Sequence, residues 1–319
     1  MDNNAKYYFL SGILVFLTIL FIGGKMFKKL VCLSVLTGII LLTGCSRTES
    51  SSNGGKSLQI KGSDTMVNLG QAWAEAFQKK NTNISVGVTG GGSGTGFAAL
   101  LNGTCDIASA SRQVEEKEIA KAKETNMVFS EFKIGLDGLA VVVNPANKVT
   151  KLTIAQLRDI FTGTKTNWKD FGGKDGKIVI LSRESNSGTH VFFKEHVLRL
   201  GNKKGTEEFA SNALLMPSSQ AISDEVAQNQ NAIGYFGMGY LSKKIKVVAV
   251  AKDVSAAYVE PTIDNVKSNK YPISRPLFLY TANAPAGAVK EFIDYTLSDE
   301  GQQIVRSIDF VPVIERGNK

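Results

Sequence analysis

Downstream of residue 56 the chain alternates between two hydrophobic rhythms. Apolar runs, some with a period of two, predict strands at residues 58–61, 83–89, 106–109, 139–143, 177–181, 232–236, 246–250 and 275–280. Between them, residues 65–80, 97–101, 115–124, 154–161, 189–200, 218–229, 286–297 and 299–308 carry helical patterns. In the first of these, Leu69, Trp73, Ala76 and Phe77 fall on one face. Thr153 and Ser218 stand where helix N-caps belong.

Strands alternating with helices predict an α/β chain with parallel sheets covered on both faces. Such sheets bind ligands in crevices at the carboxyl ends of their strands. Polar, glycine-bearing segments stand at four such ends: GSDT (62–65), GGGSGTG (90–96), SASR (109–112) and SRESNSGT (182–189). Four loops at four strand ends can converge on one site.

Ahead of residue 57 the pattern changes. Residues 7–22 and 30–42 are apolar runs, both short of a comfortable membrane span. The second follows Met26-Phe27-Lys28-Lys29 and ends in Leu42-Thr43-Gly44-Cys45. That is a charged n-region, an apolar h-region and a small-residue cleavage site. It resembles a bacterial lipoprotein signal, with residues 26–44 removed and Cys45 lipidated; an ordinary signal peptide is the alternative. Residues 1–25 read as an extension ahead of a true start at Met26, or as a membrane segment. Residues 45–56, ending in SRTESSSNGGK, read as a flexible polar tether.

Composition narrows the function classes. With 319 residues, 43% hydrophobic and 21% charged, the chain suits one large globular domain or two small ones. The formal charge is +8, part of it carried by Lys6, Lys25, Lys28 and Lys29 ahead of the tether. A mild basic excess suits an anionic ligand or an acidic surface. No lysine-arginine run is dense enough for a nucleic-acid stripe, so no nucleic-acid partner is expected. With Cys32 inside the signal and Cys45 lipidated, only Cys105 remains, so the mature body has no internal disulfide. Cys105 reads as a small buried hydrophobe.

Each loop carries two readings. In GSDT, Ser63 and Thr65 cap a helix or present its free N–H groups to an anion. The 89–96 loop lacks the Lys-Ser/Thr end of a P-loop and the GxGxxG register, leaving a plain turn or a backbone nest around Ser93. Arg112 is a surface residue or a planar fork for a tetrahedral oxyanion. Arg183 follows a buried strand, and Ser187, Gly188 and Thr189 open a helix whose first N–H groups lack internal partners. Ser187 and His190 lie three apart, as a nucleophile and a base could. No third group orients them and no G-x-S-x-G elbow is present, which disfavours catalysis. No His-Cys-carboxylate cluster has metal-ligand spacing, and no cofactor is expected.

The segments KGSDTM, GGGSGTG, DIASASR, IFTGTKTNW, SRESNSGTHVFF, AIGYFG and YPISRPLFLYT occur in this order across residues 58–313. Together they resemble the phosphate-binding proteins of bacterial phosphate ABC transporters. The resemblance implies a two-lobed type II periplasmic-binding-protein fold, with mixed sheets flanked by helices and the ligand in the cleft between lobes. Residues 57–140 with 278–319 correspond to lobe I and 141–277 to lobe II, with hinge crossings at 139–143 and 275–280. The family's phosphate contacts fall on Thr65, the Met66 backbone, Ser93, Ser111, Arg183, Ser187, Gly188 and Thr189. The implied partners are inorganic phosphate and membrane-embedded permease subunits. The implied form is a monomeric, non-enzymatic receptor, lipid-anchored at the outer face of the bacterial cytoplasmic membrane.

One departure bears on the ligand. Well-studied members of the family carry an aspartate where Ser111 stands, and it accepts the phosphate proton. Here Arg112 is expected to add a second cation, and Asp64 or Glu184 is a candidate acceptor. The alternatives are a receptor for sulfate or molybdate, a phosphate-ester hydrolase using Ser187 and His190, and a surface adhesin or sensor.

Overall fold

The computed structural model describes residues 56–202 and 204–313. Residues 1–25, the expected signal at 26–44, the lipidation site Cys45 and the tether up to residue 55 lie outside the described residues.

The chain opens with β1 (Lys56–Gly62), a 3-10 turn (Asp64–Met66) and α1 (Val67–Lys80). Leu69, Trp73 and Phe77 are buried along one face of α1, and Trp73 donates to Gly301 O at 2.8 Å. Next come β2 (Ile84–Thr89), α2 (Ser93–Leu101), β3 (Ile107–Ala110), α3 (Glu116–Glu124) and the long β4 (Phe129–Val143). After β5 (Lys151–Thr153), α4 (Ile154–Phe161) is held by a capping box: Thr153 Oγ1 accepts from Gln156 N at 3.2 Å, and Gln156 Oε1 from Thr153 N at 2.8 Å. Then follow β6 (Val179–Arg183), α5 (Gly188–Phe193) with a π-helical turn (Lys194–Leu198), β7 (Leu214–Met216), and α6 (Ser219–Gln228). The remainder is β8 (Ala232–Gly237), β9 (Lys246–Ala251), α7 (Ile263–Lys267), β10 (Ser274–Ala282), α8 (Gly287–Leu297), α9 (Asp299–Ser307) and β11 (Val311–Pro312).

The main strand order is β2-β1-β3-β10-β4-β8-β6-β7. β1 pairs in parallel with β2 and β3, and β6 with β7 and β8. Between these parallel groups β10 and β4 run antiparallel to their neighbours, so the sheet is mixed rather than all-parallel. β4 serves both groups. Its residues up to Gly138 pair with β10, and from Leu139 onward they pair with β8 and β9.

Several boundaries differ from the sequence pattern. β4 starts at Phe129, not 139, because β10 satisfies a segment whose Glu131, Lys133, Gly135 and Gly138 break the apolar alternation. β6 runs on to Arg183, whose register partner is Met216. The helix expected at 189–200 becomes α5 followed by the π turn.

Under the sheet, Phe193 stacks on Tyr235 with ring centroids 3.7 Å apart, and Phe161 meets both. Cys105 is buried, and its desolvation pushes the thiol up to about 11. Among the described residues no helix is long and apolar enough to cross a membrane.

Candidate anion site

The four loops meet. Gly62 makes the first approach possible: its φ is +142°, and a Cβ there would lie 2.1 Å from Ser109 O. The ends of β1 and β3 therefore touch, with Ser63 N donating to Ser109 O at 2.8 Å. Gly92 N donates to Gly62 O at 2.8 Å, which sets the start of α2 on the same strand end. Ser111 N then donates to Ser93 Oγ at 3.1 Å, and the two serine hydroxyls lie 3.5 Å apart.

The fourth loop arrives from β6. A Cβ on Gly188 would lie 2.4 Å from Ser93 Oγ and 2.8 Å from Ser111 Oγ, so only glycine lets the backbone of α5 come this close. Ser187 caps α5 by accepting from Thr189 N at 3.2 Å and His190 N at 3.5 Å. Thr189 Oγ1 lies 2.9 Å from Thr65 Oγ1. Asn186 ties this loop to the glycine loop: its Nδ2 donates to Gly91 O at 2.7 Å, and its O accepts from Gly94 N at 3.0 Å. Thr65, Met66, Ser93, Ser111, Ser187, Gly188 and Thr189 are all buried. The Met66 N–H is directed to Ser63 O at 3.1 Å.

Two buried guanidinium groups border this ring of hydroxyls. Arg183 donates from Nη1 to Asp64 Oδ2 at 2.9 Å and Ser219 Oγ at 3.1 Å. It also donates from Nη2 to Pro217 O at 2.9 Å and from Nε to Met216 O at 3.3 Å. Those bonds engage four of its five N–H groups among the described residues. Arg275 is the second. Its Nη2 donates to Thr189 Oγ1 at 3.0 Å and Thr65 Oγ1 at 3.3 Å, and its Nη1 to Ser111 O at 3.0 Å. Its Nε and Nη2 also reach Asp137 Oδ2 at 3.0 and 2.8 Å. Burial pushes the Asp137 carboxyl up and the Arg275 guanidinium down, and their mutual contact opposes both shifts.

Arg275 is thus a buried cation at the ring that the sequence reading, with its expectation of Arg112, did not name. Arg112 points its guanidinium at Glu118, with bonds of 2.9 and 2.7 Å to the two carboxylate oxygens, and packs over the Phe97 ring. The charged run after SASR was its partner all along. Of the two expected proton acceptors, Glu184 is exposed. Asp64 Oδ2 takes Arg183, Ser219 N at 2.7 Å and Ser219 Oγ at 2.8 Å. Arg275, Asp137 and Ser219 were missed by sequence reasoning. The available signal was an arginine opening the apolar run RPLFLY and an aspartate two residues ahead of the apolar run LAVVV.

The nucleophile–base reading loses its geometry. Among the described residues, Ser187 Oγ meets backbone N–H groups alone. His190 Nδ1 lies 2.8 Å from Arg183 O, which makes it a donor there, and Ser182 Oγ is 3.3 Å away. Burial pushes the imidazole down to about 4, so it is neutral at physiological pH. Among the described residues no group of three or more His, Cys, Asp or Glu side chains could hold a metal ion.

Comparison with known proteins gives concordant matches. The model of the PBP superfamily domain matches residues 47–300. The Phosphate-binding protein PstS of Staphylococcus epidermidis is 31% identical over 287 residues, covering 86% of each chain. The protein of the same name from Bacillus subtilis is 34% identical over 260 residues, covering 81% of each. A crystal structure from Clostridium perfringens, assigned to a phosphate ABC transporter substrate-binding protein and holding bound phosphate, superposes with a TM-score of 0.73. It is 34% identical and is matched over 81% of this chain and 100% of its own.

Proposed function

Because the chain belongs to the PBP superfamily, and within it to the phosphate-binding proteins, we propose that it captures inorganic phosphate outside the cytoplasm and delivers it to an ABC transporter permease. One observation carries the reading at the level of residues: Thr65, Ser93, Ser111, Ser187, Gly188 and Thr189, from four separate loops, are packed together beside two buried arginines. Such an arrangement replaces the hydration shell of a tetrahedral anion with fixed donors. Hydrogen bonds to charged groups contribute about 1.5–3 kcal/mol each, so about four of them suffice for micromolar affinity, about −8 kcal/mol.

The proposed ligands are the hydroxyls of Thr65, Ser93, Ser111 and Thr189, the first N–H groups of α5, and Arg183. Arg275 acts from behind, through Thr65 and Thr189. Arg112 supports the fold through Glu118 and does not touch the ion. A division into two lobes near residues 140 and 277 is supported by the change of β4's partners at Gly138–Leu139 and by the bond from Leu139 N to Ile273 O at 2.8 Å. Asp64–Arg183, Thr65–Thr189 and Asn186–Gly91 then bridge the cleft, and a ligand that adds contacts from both sides favours closure. The protein carries out no chemistry on its ligand. It acts as a monomer, tethered to the outer face of the cytoplasmic membrane through lipidated Cys45.

Uptake tests the transport role. Cells lacking the chain lose high-affinity uptake of labelled phosphate, and the wild-type chain restores it while Arg183→Ala does not. Unchanged uptake in the deletion strain would refute delivery to a permease.

A further inference from the structure

The pairing of β4 locates two opposite ends of the sheet. Phe129, where β4 starts, lies opposite Ala282; the neighbouring Thr281 lies opposite Ile107, which is level with Ile60 of β1. β1 begins at this end, at Lys56, and runs inward to Gly62 at the ring. Where β4 finishes, Val143 lies opposite Ile233 and Lys246, and Val179 opposite Ala232. β6 begins at that second end and runs inward to Arg183. Along β4 the two ends are about 45 Å apart, at about 3.3 Å per residue.

The second end is basic. Lys148 and Lys174 line one small hollow with Asn147, Gln230 and Asn231. Lys177 lies opposite Asn167 in a single antiparallel bridge. Lys243 and Lys244 stand in the turn ahead of β9, closed by Ile245 N donating to Ser242 O at 3.4 Å, and Lys246 reaches Asn147 O. Lys148, Lys174, Lys177, Lys243 and Lys244 are exposed, and among the described residues none of the five joins an ion pair. The acids nearby have other partners. Asp175 takes Asn167 Nδ2 at 2.7 Å and faces Lys169 at 3.8 Å, and Glu225 takes Asn229 Nδ2 at 3.0 Å. At the first end exposed lysines are neutralised instead, Lys79 by Glu75 at 2.8 Å and Lys80 by Glu300.

We propose that this lysine-bearing end docks on an anionic phospholipid surface. The proposal rests on the membrane-tethered reading above. The residues ahead of Lys56, with the anchor at Cys45, leave from the first end. The lysines add a second attachment at the other, so β4 lies along the bilayer with the cleft held between two fixed points. The composition favours lipid over protein. Protein interfaces are enriched in arginine and aromatic residues and depleted in lysine. Lysine is a point charge on a flexible stem, suited to a fluid surface of phosphates with no fixed geometry. Its attraction to such a surface fades within a Debye length, so five lysines on neighbouring loops act together only against a broad anionic face.

Flotation of the purified full chain with vesicles tests this, comparing phosphatidylcholine alone with an equal mixture of phosphatidylglycerol and phosphatidylcholine. The apolar N-terminal residues contribute to both, so the ratio of the two affinities reads the charge. The wild type binds the mixed vesicles at least about tenfold tighter at low salt, and the ratio falls toward one at high salt. The triple variant Lys148→Glu, Lys174→Glu, Lys244→Glu loses the preference and keeps its calorimetric phosphate affinity. Equal binding to both vesicles by the wild type would overturn the proposal. So would a preference that survives in the triple variant, which would put the contact elsewhere. Self-association in sedimentation velocity that the triple variant abolishes, with no lipid preference, would overturn it in favour of a second copy of the chain. A wild type that prefers the anionic vesicles but binds no phosphate refutes the receptor reading and leaves this docking in place.

Discussion

Arg275 lies directly opposite Asp137 in the antiparallel pairing of β10 with β4, and two of its nitrogens reach the same carboxylate oxygen at 3.0 and 2.8 Å. Both side chains are fully buried. From this anchored position Arg275 touches Thr65, Ser111 O and Thr189, one residue from each of three converging loops. The pair belongs to the frame of the strands and acts at the site through those loops.

Removing one member of such a pair leaves an uncompensated buried charge. Asp137→Ala is expected to destabilise the protein by about 3–5 kcal/mol, read from urea unfolding. The double change Asp137→Leu with Arg275→Met recovers much of that loss, because apolar replacements of similar volume are often neutral. It still weakens phosphate binding, because Thr65 and Thr189 lose the donor that polarises them. Full binding in the stable double variant would show that Arg275 only supports the fold.

The two remaining arginines separate in the opposite sense. Arg183→Ala removes a charge beside the ring, and phosphate affinity is expected to fall at least about a hundredfold. Arg112→Ala leaves Glu118 buried without its partner, so unfolding becomes easier while affinity stays within about threefold. Calorimetry and urea unfolding on the same two variants check both halves.

Gly188 tests the close approach of α5 to Ser93 and Ser111. The methyl group of Gly188→Ala would fall 2.4 Å from Ser93 Oγ, and Ser111 offers no escape at 2.8 Å. Overpacking of this kind costs about 1–3 kcal/mol. Here it is borne by the cleft, so phosphate affinity drops at least about tenfold with little change in unfolding.

Much of this was legible in the sequence, and the failures have physical causes. Thr153 and Ser218 announced their helices because capping is a local bond, and both caps form as read. The meeting of GSDT, GGGSGTG, SASR and SRESNSGT followed from their places at strand ends. The first half of β4 was hidden because its stability comes from β10, far along the chain. Arg275 was hidden for the same reason, since only the pairing of those strands brings Asp137 to it. The ion pairs of Arg112 were not foreseen, although Glu115 and Glu118 stand three and six residues away. A local ion pair was the simpler reading of that run.

His190 predicts an acid limit to stability. Its folded value, about 4, lies below the ordinary 6.5, so the folded state favours the neutral ring. The resulting stability is fully present above 6.5 and is lost as pH falls toward 4, where the unfolded chain takes up a proton first. The full loss is on the order of 3 kcal/mol. Urea unfolding across that range is expected to show the slope. His190→Asn, which can still donate to Arg183 O, is expected to flatten it.

The central claim is capture of phosphate at the ring of hydroxyls, without turnover. Isothermal titration of phosphate into the purified protein tests it most directly. The account predicts saturable one-to-one binding at micromolar affinity or tighter, lost in Arg183→Ala, with no phosphate released from a chromogenic phosphate ester. A silent titration, or binding that survives Arg183→Ala unchanged, would contradict it.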